Sequence, residues 1–204
     1  MTSLLAFALA ASLLAITPGL DTAMVLRTAT LEGARRAIFA MAGIVAGCLV
    51  WGGAVALGLG ALLAASEAAY TALRWAGAAY LIWLGIGLIR NPHQALDTGE
   101  PAAKSRRQNW FARGLLTNLL NPKIGIFYVS FLPQFVPDGA PVAGTIFLLA
   151  VIHAALSGIW FGCLIAASTP LRRILARPSA VRTLDRLTGG VFIAAGAKLA
   201  LSRA

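Results

Sequence analysis

Six stretches of this chain are long and apolar enough to cross a lipid bilayer, and no other feature of the sequence constrains its fold as strongly. They cover residues 4–28, 38–65, 69–89, 111–136, 142–168 and 184–201. About 20 mostly apolar residues suffice to cross the hydrocarbon core. Lipid offers backbone groups no partners, so a spanning segment must close its own hydrogen bonds, and runs of this length do so as helices. Of the 204 residues, 59% are hydrophobic and 12% charged, against about a quarter charged in a soluble domain. The expectation is an all-α integral membrane protein forming one transmembrane domain, residues 1–204. The second and fifth runs have length to spare for tilt.

A net charge of +10 could mark a nucleic-acid binder, but the basic residues fall between the apolar runs. The expected partner is therefore the lipid bilayer, with no nucleic acid. The first, third and fifth connections with their flanks carry Arg27, Arg35 and Arg36; Arg90, Lys104, Arg106, Arg107 and Arg113; and Arg172, Arg173, Arg177, Arg182 and Arg186. The other face has Arg74 and Arg203, with Glu67 and Asp138. Basic residues stay cytoplasmic, so both termini are expected outside, in the periplasm or its equivalent. Trp75, Trp110 and Tyr70 lie near run ends, where an aromatic belt belongs. Met1-Thr2-Ser3 lacks the basic region of a cleavable leader, so none is expected.

Two of the apolar runs are interrupted. Thr17-Pro18-Gly19-Leu20-Asp21-Thr22 breaks the first, and Asn118-Leu119-Leu120-Asn121-Pro122-Lys123 breaks the fourth. Proline removes a backbone donor and clashes with the preceding turn. Thr17-Pro18 and Asn121-Pro122 each read as a helix cap followed by proline at the first helical position. The interruptions open two halves: about 1–90 and about 111–204, joined by a cytoplasmic loop over about 91–110. Trp51-Gly52 is echoed by Trp160-Phe161-Gly162, and residues 74–81 by 186–193. Three crossings per half place the second copy in the membrane upside down. Two inverted three-helix repeats, with the first and fourth helices broken at Pro18-Gly19 and Asn121-Pro122, form a layout used by secondary transporters, which hold substrate between the breaks.

The breaks carry ionisable groups where such groups are usually functional. Half-helix N-termini direct free amides at an anion such as a carboxylate. Pro18 and Gly19 open the first site; Lys123 adds a positive charge. Asp21, read as the only acid well inside any run, could face a substrate ammonium or carry a proton. An Asp21–Lys123 ion pair that opens for a zwitterion would use both. Asn118 and Asn121, three apart, share a helix face and offer donors and acceptors. His153, in the fifth run with Ser157 four residues on, is a second proton-coupling candidate beside a plain structural hydrogen bond. Gly43 and Gly47 form a GxxxG read as helix packing. Gln134 is expected at the interface. No metal-ligand cluster, phosphate-binding loop or nucleophile–base pair stands out, so no enzyme, cofactor or metal is expected.

Phe111-Ala112-Arg113-Gly114-Leu115-Leu116-Thr117-Asn118-Leu119-Leu120-Asn121-Pro122-Lys123, followed by Phe127 and Phe131-Leu132-Pro133-Gln134-Phe135-Val136, resembles a signature of the LysE/RhtB family of amino-acid exporters. Thr17-Pro18-Gly19-Leu20-Asp21-Thr22 with Gly33, Arg35, Arg36, Gly43 and Gly47 is similar to the family's first signature, and residues 78–85 to its third helix. Leu20 stands where the family usually has a second proline, which implies a softer kink. The resemblance implies export of amino acids or close derivatives across the bacterial inner membrane, driven by the proton motive force. A single deep acid favours a small zwitterionic substrate over a dicationic one. Small-residue faces are compatible with a homodimer. The competing readings are a membrane thiol-disulfide exchange protein, using Cys48 and Cys163, and a small metal-cation exporter.

Overall fold

The computed structural model describes residues 2–65, 67–91, 109–137, 139–167 and 177–201. Most of the connection 91–110, and Lys104, Arg106, Arg107, Asp138, Arg172, Arg173 and Arg203 used above for orientation, lie outside them, as does the end of the fifth run. Among the described residues the structure is helical, without strands. In order come α1 (Thr2–Ile16), α2 (Leu20–Leu31), α3 (Ala34–Ala65), α4 (Glu67–Arg90), α5 (Trp110–Leu119), α6 (Pro122–Ile126), α7 (Val142–Ala166) and α8 (Pro178–Leu201). α6 runs on through a π turn, Phe127–Phe131, and a 3-10 turn, Leu132–Phe135. Pro133 lacks the N–H that would continue a regular helix there, and Gln134 Nε2 donates to the Ser130 carbonyl at 2.9 Å instead.

Both breaks form. α1 and α2 meet at 52°, and α5 and the α6 segment at 54°. With Leu20 after Gly19, Pro18 alone bends its span about as far as the other break bends. The cap reading holds at one break only. Asn121 Oδ1 accepts from the Lys123 backbone N–H at 3.1 Å with Pro122 at the first helical position. At the first break the N-cap is Gly19, with no side-chain bond. Thr17 instead turns back, its hydroxyl donating to the Leu13 carbonyl at 2.7 Å. Between α2 and α3 the chain reverses at Gly33, whose φ of 89° suits a residue without Cβ.

Length and composition qualify α3 over Ala34–Gly58 and α7 over Val142–Ala166 as membrane spans, and each bent pair as one more. α4 and α8 have 24 residues each, about 36 Å of helix. Within α4, Trp75–Arg90 is a shorter apolar stretch among the described residues, and α8 carries Arg182, Asp185 and Arg186 near its start. The outer surface is the reverse of a soluble protein's: Leu9, Leu57, Trp83 and Ile159 are 65, 75, 66 and 67% exposed, as side chains facing lipid would be.

Glycine sets the closest approaches. α3 crosses α5 where Cβ atoms at Gly43 and Gly114 would each lie 2.0 Å from the other helix's carbonyl oxygens, on Phe111 and Ala40. α4 meets α8 at Gly85 and Gly189, where either Cβ would lie 2.6 Å from the other's carbonyl oxygen. These two helices are antiparallel, since Gly196 faces Ala78 further along; so are α3 and α7, with Gly52 against Ala150 and Gly158 against Val45. The apolar core sits where α1 and the α6 segment meet, in a stack of Phe7, Phe127, Phe131 and Phe135.

Candidate functional site

The two breaks face each other across the interior. Asn118, fully buried near the end of α5, donates from Nδ2 to Asp21 Oδ2 at 2.8 Å. Asp21 lies in the first turn of α2, where the helix dipole favours a negative charge. Asp21, Asn121, Lys123, Gly19, Cys48, His153 and Ser157 line one enclosed cavity of about 20 Å3, room for about one water molecule. Asn121 also borders a wider groove of about 410 Å3, lined among others by Trp51, Gly77, Tyr80, Ile126 and Ser130. Two oxygens at the centre, Asp21 Oδ1 and Asn118 Oδ1, are buried without a hydrogen-bond partner. Orphaned buried acceptors are rare in folded proteins, and here they belong to the two hydrogen-bonded partners, of which Asp21 lines the cavity.

Lys123 comes from the second break but binds the first. Its Nζ donates to the carbonyls of Thr17 at 2.9 Å and Leu14 at 3.2 Å. Pro18 is the cause: it has no N–H to return to Leu14 four residues back. The expected Asp21–Lys123 ion pair is not formed, because the ammonium is held by the end of α1. Asn118 and Asn121 do not share a helix face either, since α5 ends at Leu119 and Asn121 caps α6; they converge on Asp21's surroundings from either side of the break. Pro18 is buried in the break itself.

His153 is fully buried on α7. Its Nδ1 lies 3.0 Å from the Tyr128 hydroxyl and its Nε2 3.4 Å from Ser157 Oγ, and its ring packs on Phe127 at 5.0 Å. The Asn118 amide also donates to the Cys48 thiol at 3.5 Å. Asp21, Asn118 and Cys48 thus form one buried polar group, and Tyr128, His153 and Ser157 another. From sequence alone Cys48 reads as a small packing residue, and Tyr128, next to Phe127 in an apolar run, carries no signal. Both cysteines are free, Cys48 buried and Cys163 exposed.

Asp21 is not the only deep acid. Asp185 is fully buried on α8, and its charge acts on Lys123 together with that of Asp21. Its neighbour one turn on, Thr188, pairs hydroxyl to hydroxyl with Thr17 at the first break. Sequence reasoning misses Asp185 because arginines surround it. The signal that could have found it is the buried stripe Val181, Asp185, Thr188, Phe192, Ala195, a helical repeat with the acid on its inward face. Gly47, expected to serve helix packing, does more. A Cβ there would lie 2.6 Å from Asn118 Oδ1 and 2.9 Å from Asn118 Cβ, so this glycine makes the space in which Asn118 reaches Asp21.

Bent apolar helix pairs enclosing a carboxylate, an ammonium and unpaired acceptors define a membrane protein with a polar centre. The family model for LysE type translocators matches residues 12–203, and the chain belongs to that family. It is 32% identical to the homoserine/homoserine lactone efflux protein of Salmonella typhimurium, over 97% of this chain and 96% of that protein. It is 31% identical to the threonine efflux protein of Escherichia coli K12, over 92% of each. With the leucine efflux protein of Klebsiella pneumoniae it shares 29% identity, over 96% of this chain and 93% of that one. No solved structure matches the chain.

Proposed function

We propose that this protein exports a small zwitterionic amino acid or close derivative across the bacterial inner membrane, driven by the proton motive force, with substrate held between the two broken helices. The observation that carries the reading is the convergence of both breaks on one polar cavity in a chain whose family relatives are amino-acid efflux proteins. The first break suits a zwitterion. α1 ends in carbonyls without regular partners, which attract an ammonium, and α2 begins at Gly19 without a side-chain cap, leaving amides for a carboxylate. Asp21, Asn118, Asn121 and Lys123 complete the substrate contacts around Pro18 and Gly19. A cavity of about 20 Å3 is too small for an amino acid, so this is a closed arrangement. The groove beyond Asn121 falls within the roughly 300–1,000 Å3 typical of ligand sites, and it gives substrate somewhere to go when Asn121 moves.

Asp21 carries the coupled proton, with His153, on the same cavity, as the second proton-coupling group. Six crossings arranged as two inverted repeats (1–90 and 111–204) form a single domain, with both termini outside. This arrangement is supported by the similar bends of 52° and 54° and by the antiparallel pairing of α3 with α7 and α4 with α8. Trp51 and Trp160, matched between the halves, both bury an indole N–H without a partner. The test is counterflow: purified protein in liposomes loaded with L-homoserine, L-threonine or L-leucine should accumulate the labelled amino acid, and an imposed pH gradient should drive net movement. Indifference to all three and to a wider amino-acid panel would reject the assignment.

A further inference from the structure

We propose that Lys123 is a tethered stand-in for the substrate's ammonium group. In the unloaded carrier it fills a primary-ammonium site made by the Leu14 and Thr17 carbonyls, and it yields that site when an amino acid enters. The inference rests on the function proposed above and deepens it by assigning the ammonium subsite.

The site follows from the break. Pro18 deprives the Leu14 carbonyl of its regular donor, and Thr17 ends the half-helix, so two oxygens at the negative pole of α1 need a cation or donor. Inside a membrane, no bulk water can supply one. Lys123 Nζ does so, at 3.2 and 2.9 Å. Gly19 lies alongside: a Cβ there would stand 3.5 Å from the ammonium, in ordinary contact. An amino acid's α-ammonium is chemically the same group, a tetrahedral cation with three donors, and the same oxygens cannot hold both. The adjoining cavity takes one water, so entry of substrate and departure of the lysine are one event. Asp21 Oδ1, buried and unpartnered beside the cavity, is a further acceptor for the incoming ammonium.

The charged and titratable groups that bear on the lysine are Asp21 from α2, Asp185 from α8 and His153 from α7. Lys123 leaves the carbonyls when substrate binds and returns when substrate leaves. An exporter must reset empty. With Lys123 in place, the empty protein never carries an unfilled pair of buried carbonyls through that step. Exchange of substrate for substrate never visits the empty state, so it does not call on the lysine as a stand-in.

The experiment separates those two modes in liposomes, using whichever of L-homoserine, L-threonine or L-leucine the wild type exchanges. Lys123→Met is expected to lower net efflux into substrate-free medium at least about ten-fold more than it lowers exchange, as loss of two charge-assisted bonds in the empty state implies. Equal loss of both modes, or retention of net efflux, would overturn the proposal. Should the variant not fold, wild-type protein decides. Acylation of Lys123 by a membrane-permeant amine reagent, read by mass spectrometry, should rise several-fold at saturating substrate; unchanged or reduced labelling overturns it. A wild type that exchanges no amino acid would instead defeat the functional assignment beneath it.

Discussion

Gly47→Ala is the most demanding test of how packing builds the site. The added Cβ would lie 2.6 Å from Asn118 Oδ1, 2.9 Å from its Cβ and 3.0 Å from its Cγ. An ordinary contact begins near 3.4 Å, so Asn118 must withdraw by about 0.8 Å, or α3 and α5 must part, which the Gly43–Gly114 contact one turn away resists. Withdrawal stretches the 2.8 Å bond to Asp21 to about 3.6 Å, beyond hydrogen-bonding range. A bond of this kind is worth about 1.5–3 kcal/mol, and overpacking a tight core costs about 1–3 kcal/mol. The control lies on the same helix: a Cβ on Gly53 would meet nothing within 4 Å, so Gly53→Ala should be neutral or stabilising by up to about 1 kcal/mol. Thermal unfolding in detergent and counterflow in liposomes read both variants. Gly47→Ala should lose roughly 5–10 °C in Tm and at least about ten-fold in exchange. If it matches Gly53→Ala in both assays, the argument that Gly47 places Asn118 against Asp21 is wrong.

Other expectations are simpler. Asp21→Asn should abolish accumulation driven by a pH gradient; wild-type transport with an unchanged pH profile would remove Asp21 as proton carrier. His153→Gln should flatten the pH dependence of transport and cost about 1–3 kcal/mol of stability through the Tyr128 and Ser157 contacts; an unaltered profile would leave His153 a purely structural role. The double variant Cys48→Ser, Cys163→Ser should transport at close to the wild-type rate, and a large loss would favour thiol-disulfide chemistry instead.

What the sequence determined by itself is the part of this protein governed by local chemistry. Apolar runs dictate membrane helices because lipid leaves the backbone no other partner, and Pro18 and Pro122 dictate breaks because each lacks a donor. Asn121 is legible as a cap for the same reason. Which groups meet was decided only by the tertiary structure. Lys123 ignores the nearby carboxylate in favour of the α1 carbonyls that Pro18 left open, a choice set by how the two broken helices approach. Asp185 belongs to a charged flank in the sequence, and only the packing of α8 turns that face inward, with Thr188 against Thr17. Thr17, expected as a cap, directs its hydroxyl towards Leu13 and Thr188 because α8 lies beside it. Side-chain hydrogen bonds and charges act over a few ångströms, and only the packing of helices distant in sequence brings these groups that close.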